Sequence, residues 1–384
     1  MSKTLGAIEI REVRDRSGLA AFDEAAHRAQ AGNPRWVAPL RMEVYQAFDA
    51  KHSPLMQENV VRAFVAFDGK IPVGRVATIV NRAYLTKYKD GVGHFGLIDA
   101  IDDPAIFASL LKTAAASLRE HGLSRMRGPF SLSINHESGL LVEGFEFPHM
   151  VRTNHSPAFY SAHMEAAGSR KAMDVFAASC KVAESDFPDQ VAKLVKGSKL
   201  AAEIETRGLT FVRWKHEFPL ILDLYNDAWQ NNWGSVPVSH AEAAMISHLM
   251  LPVSKPAWIR IARWRGEPVA VVAQIPDVNE ALAPLHGRLL PFGWARLLTH
   301  IHWRGTQRTR IPMIGVAKRW RGTPVGSLAI RMLLAEAIKQ AQKAGVVEAE
   351  ISWMLENNRG ILNLIAALPA RHTRTFRIYE KDII

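Results

Sequence analysis

The chain has 384 residues, enough for two or three domains, and with 48% apolar and 22% charged residues it is ordinary globular material rather than a disordered chain. Its one cysteine, Cys180, excludes an intrachain disulfide and a multi-cysteine metal site. No run of 18 uncharged apolar residues occurs and the segment MSKTLGAIEIREVRDR lacks an apolar signal-type core, so a soluble cytoplasmic protein is expected.

In chain order, VVRAFVAF (60–67) and IPVGRVATIV (71–80) are β-rich and flank the turn sequence DGK, which predicts a hairpin. A strand follows at 94–100. Residues 102–122 carry an aspartate cap, a proline in the first turn, apolar residues at helical spacing and a closing glycine, the marks of a helix. Residues 154–168 read as helical. The stretch 185–200 is polar and basic and marks a junction. The second half then repeats the order: an amphipathic helix over 218–234, a hairpin from 258–264 and 268–277, a strand at 310–317, a long helix over 327–345 closed by Gly345, and strands at 347–355 and 374–382. The recurrence predicts an α/β protein of two domains of one type, 1–192 and 193–384, each a mixed β-sheet flanked by helices.

Charge separates the halves. Residues 1–190 hold 22 basic and 22 acidic side chains, whereas 191–384 hold 26 and 15, so the whole excess of +11 lies in the second half. No acid occurs from 281 to 335, a stretch that carries Arg288, Arg296, Arg304, Arg308, Arg310, Lys318, Arg319, Arg321 and Arg331. Such a field suits the phosphates of a cofactor, a nucleic acid or an anionic membrane, or is a solvated basic face without a partner. Neither aromatic-interleaved RNA motifs nor zinc or helix-turn-helix signatures are present, which disfavours nucleic acid.

Within this stretch a strand delivers Val316 to Lys318-Arg319-Trp320-Arg321-Gly322-Thr323-Pro324-Val325-Gly326-Ser327, and a helix follows. Small residues at 322 and 326 admit a phosphate to backbone amides, and a helix N-terminus adds roughly half a unit of positive charge. The pattern is neither a Walker loop nor GxGxxG. A structural strand-to-helix turn would use the same residues.

Arg321-Gly322-Thr323-Pro324-Val325-Gly326 resembles the pyrophosphate loop of the GNAT acyltransferases, Gln/Arg-x-x-Gly-x-Gly/Ala, and VEAEISWMLENN and ILNLIAALPARHTRTFRIYEKD resemble the elements that follow it there. The resemblance covers most of 215–384 and implies a tandem GNAT-like fold with acyl-CoA as co-substrate and no metal. It implies a CoA site made by Val316, Arg319, Arg321, Gly322, Thr323, Val325, Gly326 and Ser327, with Asn357 and Asn358 for the pantetheine amides. Two departures stand out: Pro324 replaces the first motif glycine, and Ile365 falls where many of these enzymes have a general-acid tyrosine. The first half resembles a degenerate copy, with Asn154 and Tyr160 in its closing segment. Its loop position, Asp99-Ala-Ile-Asp102-Asp103, would repel phosphate, so 1–192 is expected to shape an acceptor or acyl pocket. The runs NPRWVAPL, MRGPFSLSINHESGLLVEGF, LYNDAWQNNWGSVP, HGRLLPFGW and ISWMLENN resemble a group of large tandem GNAT-like bacterial proteins that includes the bacterial ceramide synthases. That likeness implies transfer of a fatty acyl group to the amine of a sphingoid base.

The chemistry sets requirements of its own. A protonated alkylamine, with a pKa near ~10, must lose a proton to a carboxylate, a histidine or a relayed water before it attacks a thioester. Glu356, Glu350 and Asp277 are the candidate bases. Glu280, His286, His136, Glu137 and His155 are further ones, and every acid among them also reads as a cap or ion-pair member. The Val316 N–H is the candidate donor to the thioester oxygen. Cys180 is expected to be buried and inert. Trp229, Trp233 and Trp320 suit an acyl tunnel, a membrane interface or plain core packing. A long-chain amine and an anionic membrane surface, engaged peripherally from the cytoplasmic side, are the expected partners. Acetyl or aminoacyl transfer to a small soluble amine, or a non-catalytic basic binding module, are the alternatives.

Overall fold

At the tip of the second hairpin, Arg265 and Gly266 both take positive φ (51° and 82°), as a tight turn between twisted strands requires. They join strands Ile259–Trp264 and Glu267–Pro276, which pair antiparallel with Trp264 opposite Glu267. In the first hairpin Val60–Asp68 and Ile71–Val80 pair antiparallel with Asp68 opposite Ile71, and Gly69 at its tip has φ 60°. The structure, a computed structural model, describes residues 6–383, so the first five residues of the N-terminal segment lie outside the described residues. The chain forms two compact units. One comprises the described residues up to Val175, Leu282–Leu289 and those from Arg374 on, and the other comprises Phe176–Ala281 and Leu290–Thr373. Residues 185–200, expected at the junction, belong to the second unit, where they form the helices Phe187–Val195 and Lys199–Ala202.

The first unit's sheet runs Ile8–Glu12, Val60–Asp68, Ile71–Val80, Val92–Ala100, Arg125–Gly128 and then the last strand of the chain, paired from Tyr379 opposite Gly128 to Asp382 opposite Arg125. Its helix Pro104–Arg119 is capped by Asp103, whose carboxylate accepts from the Ala105 and Ile106 amides. Ile106, Phe107, Leu110 and Leu111 of that helix are buried against Val76, Phe95 and Tyr379.

The second unit's sheet runs Ile204–Gly208, Ile259–Trp264, Glu267–Pro276, Arg308–Val316 and Glu348–Leu355, with the end of strand Arg170–Lys181 beyond. All pairs up to Arg308–Val316 are antiparallel, and the pair Arg308–Val316 with Glu348–Leu355 is parallel. A strand alternates its side chains between faces. Accordingly Ala270 and Val272 join the core made by helix Pro324–Lys343, through Ala329, Leu333 and Ile338. Val271 and Ala273 join the opposite core, made by helix Trp214–Trp229 through Trp214, Ile221 and Leu224. Cys180 is buried beside Val346 and Ala349, and burial pushes its thiol up to about 11, which suits an inert core residue.

Candidate active site

Strand Arg308–Val316 is paired on both edges only over its first part. On one side its parallel register with Glu348–Leu355 runs from Arg308 opposite Glu348 to Ile311 opposite Ile351 and ends there. Pro312, which has no N–H, comes next. On the other side it stays paired out to Val316 opposite Ala270, and the Ala317 amide donates to the Val269 carbonyl over 2.9 Å. Backbone groups alternate between edges in an antiparallel pair. Because Ala317 turns toward Val269, Val316 and Ile314 turn away, toward the opened edge. The Val316 carbonyl there accepts from Arg321 Nε at 3.1 Å. The wedge between the two strands is thus lined by the Ile314 and Val316 amides, neither of which has a strand partner among the described residues. Ile314 went unnamed in the sequence, because alternation along a strand becomes informative only once the register with a neighbour is known.

The loop beyond the strand is built by caps. Thr323 is the N-cap of helix Pro324–Lys343, and its Oγ1 accepts from the Gly326 amide at 3.1 Å and donates to the Trp320 carbonyl at 2.8 Å. Pro324 occupies the first helical position, where a missing N–H costs no helical bond. Ser327 is exposed, with its amide bonded to the Thr323 carbonyl. Among the described residues the amides of Gly322 and Val325 take no hydrogen bond, so two main-chain donors remain at this N-terminus. Gly322 has φ +70° with open space where a Cβ would stand, whereas Gly326 is buried and a Cβ on it would collide with the Trp320 carbonyl. Glycine at 326 therefore serves close backbone packing.

The two arginines differ. Arg321 donates to the carbonyls of Val316, Asp227 and Ala228, and the Asp227 carboxylate accepts from the Lys318 amide at 2.5 Å. Arg321 thus ties the strand end and the loop to the end of helix Trp214–Trp229. Arg319 forms an exposed ion pair with Glu267. Trp229 stacks on Tyr225, ring centroids 4.6 Å apart, and lies where a Cβ of Gly315 would be. Trp320 packs edge-on to Trp264 at 5.1 Å. Trp229 and Trp320 are therefore packing residues of this end of the sheet.

The candidate bases do not converge. Asp277 is fully buried and paired with Arg308 at 2.9 Å, and its amide donates to the Arg308 carbonyl, at the start of the motif strand. At about 3.3 Å per residue that is roughly 26 Å from Val316. Glu350 is also fully buried, opposite Arg310 in the register. It accepts from Ser352 Oγ at 2.9 Å, and Ser352 in turn accepts from Arg310 Nε at 2.8 Å. Glu280 accepts from the Gln307 and Arg308 amides. Glu356, Asn357 and Asn358 follow strand Glu348–Leu355, whose parallel direction brings its end to the same side as the loop. Asn358 caps helix Arg359–Ala366 through the Ile361 amide, while Asn357 is exposed. Ile365 is part of the core.

In the first unit, the acids at 99–103 are structural. Asp99 is buried against Arg75 at 2.7 Å and Gln30 at 2.9 Å, Asp102 meets His163 at 2.7 Å, and Asp103 caps a helix. Tyr160 donates to Asp99 and is held far above its ordinary pKa by burial and by that carboxylate. Asn154 donates to the Gly139 carbonyl at 2.7 Å. Burial alone would raise the Glu137 carboxyl, but Arg152, at 3.1 Å, and His136 bring it down to about 2. Burial, with help from Arg374, lowers His155 to about 4. Both lie in the first unit, as does His286, which is exposed.

The chain is 35% identical over 373 residues to the bacterial ceramide synthase of Caulobacter vibrioides, covering 97% of this chain and 96% of that one. It belongs to the bacterial ceramide synthase family. Protein YghO of Escherichia coli is 33% identical over 375 residues, covering 97% and 95%. A tandem GNAT protein from the clavulanic acid biosynthesis pathway superposes with a TM-score of 0.56 at 11% identity, covering 98% of this chain and 99% of that one, so the expected tandem GNAT fold is the one found. No protein-family profile matches the chain. Among the described residues no three His, Cys, Asp or Glu side chains form a metal-binding group, and no helix is long and apolar enough to cross a membrane.

Proposed function

We propose that this member of the bacterial ceramide synthase family transfers a fatty acyl group from acyl-CoA to the amine of a sphingoid base, giving a ceramide-type amide. The observation that carries the reading is the opened edge of strand Arg308–Val316, which runs into a capped loop with two unbonded amides at the start of a twenty-residue helix. Pantetheine is an extended amide chain, and the Ile314 and Val316 amides offer it a strand edge. One of them, at the thioester, supplies the N–H that stabilises charge building on its oxygen. The Gly322 and Val325 amides and the helix dipole suit the pyrophosphate. Arg319 adds charge, because an exposed pair with Glu267 is worth at most about 1 kcal/mol and is easily exchanged. The amine nitrogen bonds to the acyl carbon, the C–S bond breaks, and the thiolate takes a proton that the amine has lost. Glu356, at the loop end of the sheet, is the carboxylate assigned to that proton; Asn357 is assigned to a pantetheine amide. Among the described residues of the first unit, the acids at 99–103 are taken up by Arg75, Gln30, His163 and a helix cap, which favours the second unit for the phosphates.

The experiment is direct. Incubated with a long-chain acyl-CoA and a sphingoid base, the protein should form amide and free thiol in equal amounts, read by mass spectrometry and a thiol reagent. Acylation of small soluble amines in preference to the sphingoid base would overturn the lipid reading. Tight acyl-CoA binding with no amide from any amine would leave a binding module.

A further inference from the structure

Between strands Glu267–Pro276 and Arg308–Val316 the chain makes a long detour that ends in helix Gly293–Thr299 and its continuation His300–Arg304. Leu297 and Ile301 anchor this helix by burial. Around them Leu290, Phe292, Trp294 and Trp303 are 81%, 76%, 51% and 78% exposed. Single exposed apolar residues are unremarkable, but four large ones within fourteen positions, three of them aromatic, mark a contact surface. Trp294 donates its indole N–H to the Pro291 carbonyl at 3.1 Å, so its ring can leave water without stranding a donor. Arg296 and Arg304 are exposed and form no ion pair among the described residues, in a stretch without a single acid.

We propose that residues 290–304 form an interfacial anchor that seats the second unit on an anionic lipid leaflet. The charge selects the occupant. A second copy of this surface would set Arg296 and Arg304 against like charge with no acid in the segment to answer them. An anionic leaflet instead supplies negative headgroups for the arginines and an acyl boundary for the rings. Arg304 lies four residues ahead of Arg308, at the end of the motif strand opposite the loop. The anchor and the loop at Thr323 thus sit at opposite ends of that strand. The proposal deepens the lipid-substrate reading and rests on it for its purpose, although membrane binding is measured without catalysis.

The full chain is to be floated with vesicles of phosphatidylcholine alone and with added phosphatidylglycerol, at low and high salt. Wild type should bind only the anionic vesicles and be released by salt. Phe292→Ser/Trp294→Ser/Trp303→Ser and Arg296→Glu/Arg304→Glu should each weaken binding by roughly tenfold or more, while turnover of a short-chain acyl-CoA with a short soluble amine is retained. A second measurement needs no folding assumption: brominated phosphatidylglycerol should quench wild-type tryptophan fluorescence, and Trp294→Phe/Trp303→Phe should abolish most of that quenching. Equal flotation of wild type and variants, or no quenching, overturns the anchor. Loss of self-association in place of vesicle binding assigns the surface to a second copy and overturns it as well. If wild type turns over neither the short pair nor a long-chain acyl-CoA with a sphingoid base, the enzymatic reading fails whatever the vesicles show.

Discussion

Arg319 and Arg321 are two positions apart and do different work. Arg321 holds three main-chain carbonyls, so Arg321→Ala should lower stability by about 1–3 kcal/mol, seen as a reduced unfolding midpoint, with acyl-CoA affinity falling because the loop loosens. Arg319→Glu should leave the midpoint within about 0.5 kcal/mol of wild type, since its only described ion pair is exposed, yet weaken acyl-CoA binding by about tenfold in a titration. If Arg319→Glu binds normally, the phosphates do not lie at this loop. Glycines separate in the same way: Gly322→Ala should cost about 1 kcal/mol through its positive φ, whereas Gly326→Ala should cost more and displace Trp320. Glu356→Gln should lower kcat about a hundredfold or more with little change in acyl-CoA affinity. The sequence named this loop because cap, proline and glycines are local signals. It could not divide the arginines, since the carbonyls of Asp227 and Ala228 come from a helix some ninety residues earlier.

Elements with strong turns and caps were legible. Both hairpins, the helix behind Asp103 and the long helix closing at Gly345 fall close to where the pattern sets them. Helix Trp214–Trp229 begins a turn before the expected 218, with Pro219 inside it. Trp214 is buried, stacks on Phe218 and donates to Ser247 at 2.7 Å, and that packing extends the helix to the N-terminal side of the proline. Helix Pro324–Lys343 starts at the proline rather than at 327, because Thr323 supplies the cap. Thr323→Ala should therefore cost about 1 kcal/mol and loosen the Gly322 and Val325 amides proposed for the phosphates, measurable as a lower unfolding midpoint together with weaker acyl-CoA binding. The wedge itself was illegible. Where a parallel pair stops depends on two segments forty residues apart, and neither Pro312 nor Ser352 announces it alone.

For the whole chain, acid is the sensitive condition. Burial, helped by Arg127, lowers His94 to about 3, and burial with Arg374 lowers His155 to about 4, both beneath the ordinary 6.5. The unfolded chain therefore binds more protons than the folded one below that value. Stability is complete above about pH 6.5 and falls as pH drops toward the folded values, by about 1.4 kcal/mol per histidine at pH 5.5. Glu137, lowered to about 2, adds a further loss as pH falls below 4.5. Urea unfolding midpoints at pH 7.5 and 5.5 should differ accordingly, and an unchanged midpoint would rule out neutral buried histidines. The basic excess of the second half was plain from composition, whereas these histidines look like any others until their burial is known.

The last strand of the chain completes the first unit. Arg127 meets Glu380 across 253 positions, and Arg125 and Arg170 both meet Asp382. While the polypeptide is being made, the edge Arg125–Gly128 must wait for a partner that leaves the ribosome only after the whole second unit has been translated. A bare strand edge of this kind invites pairing with neighbouring nascent chains. Expressed by itself, 1–192 should collect in inclusion bodies, and a supplied peptide spanning 370–383 should restore it to the soluble fraction. Vectorial synthesis thus couples the folding of the first unit to the arrival of a strand that follows the second.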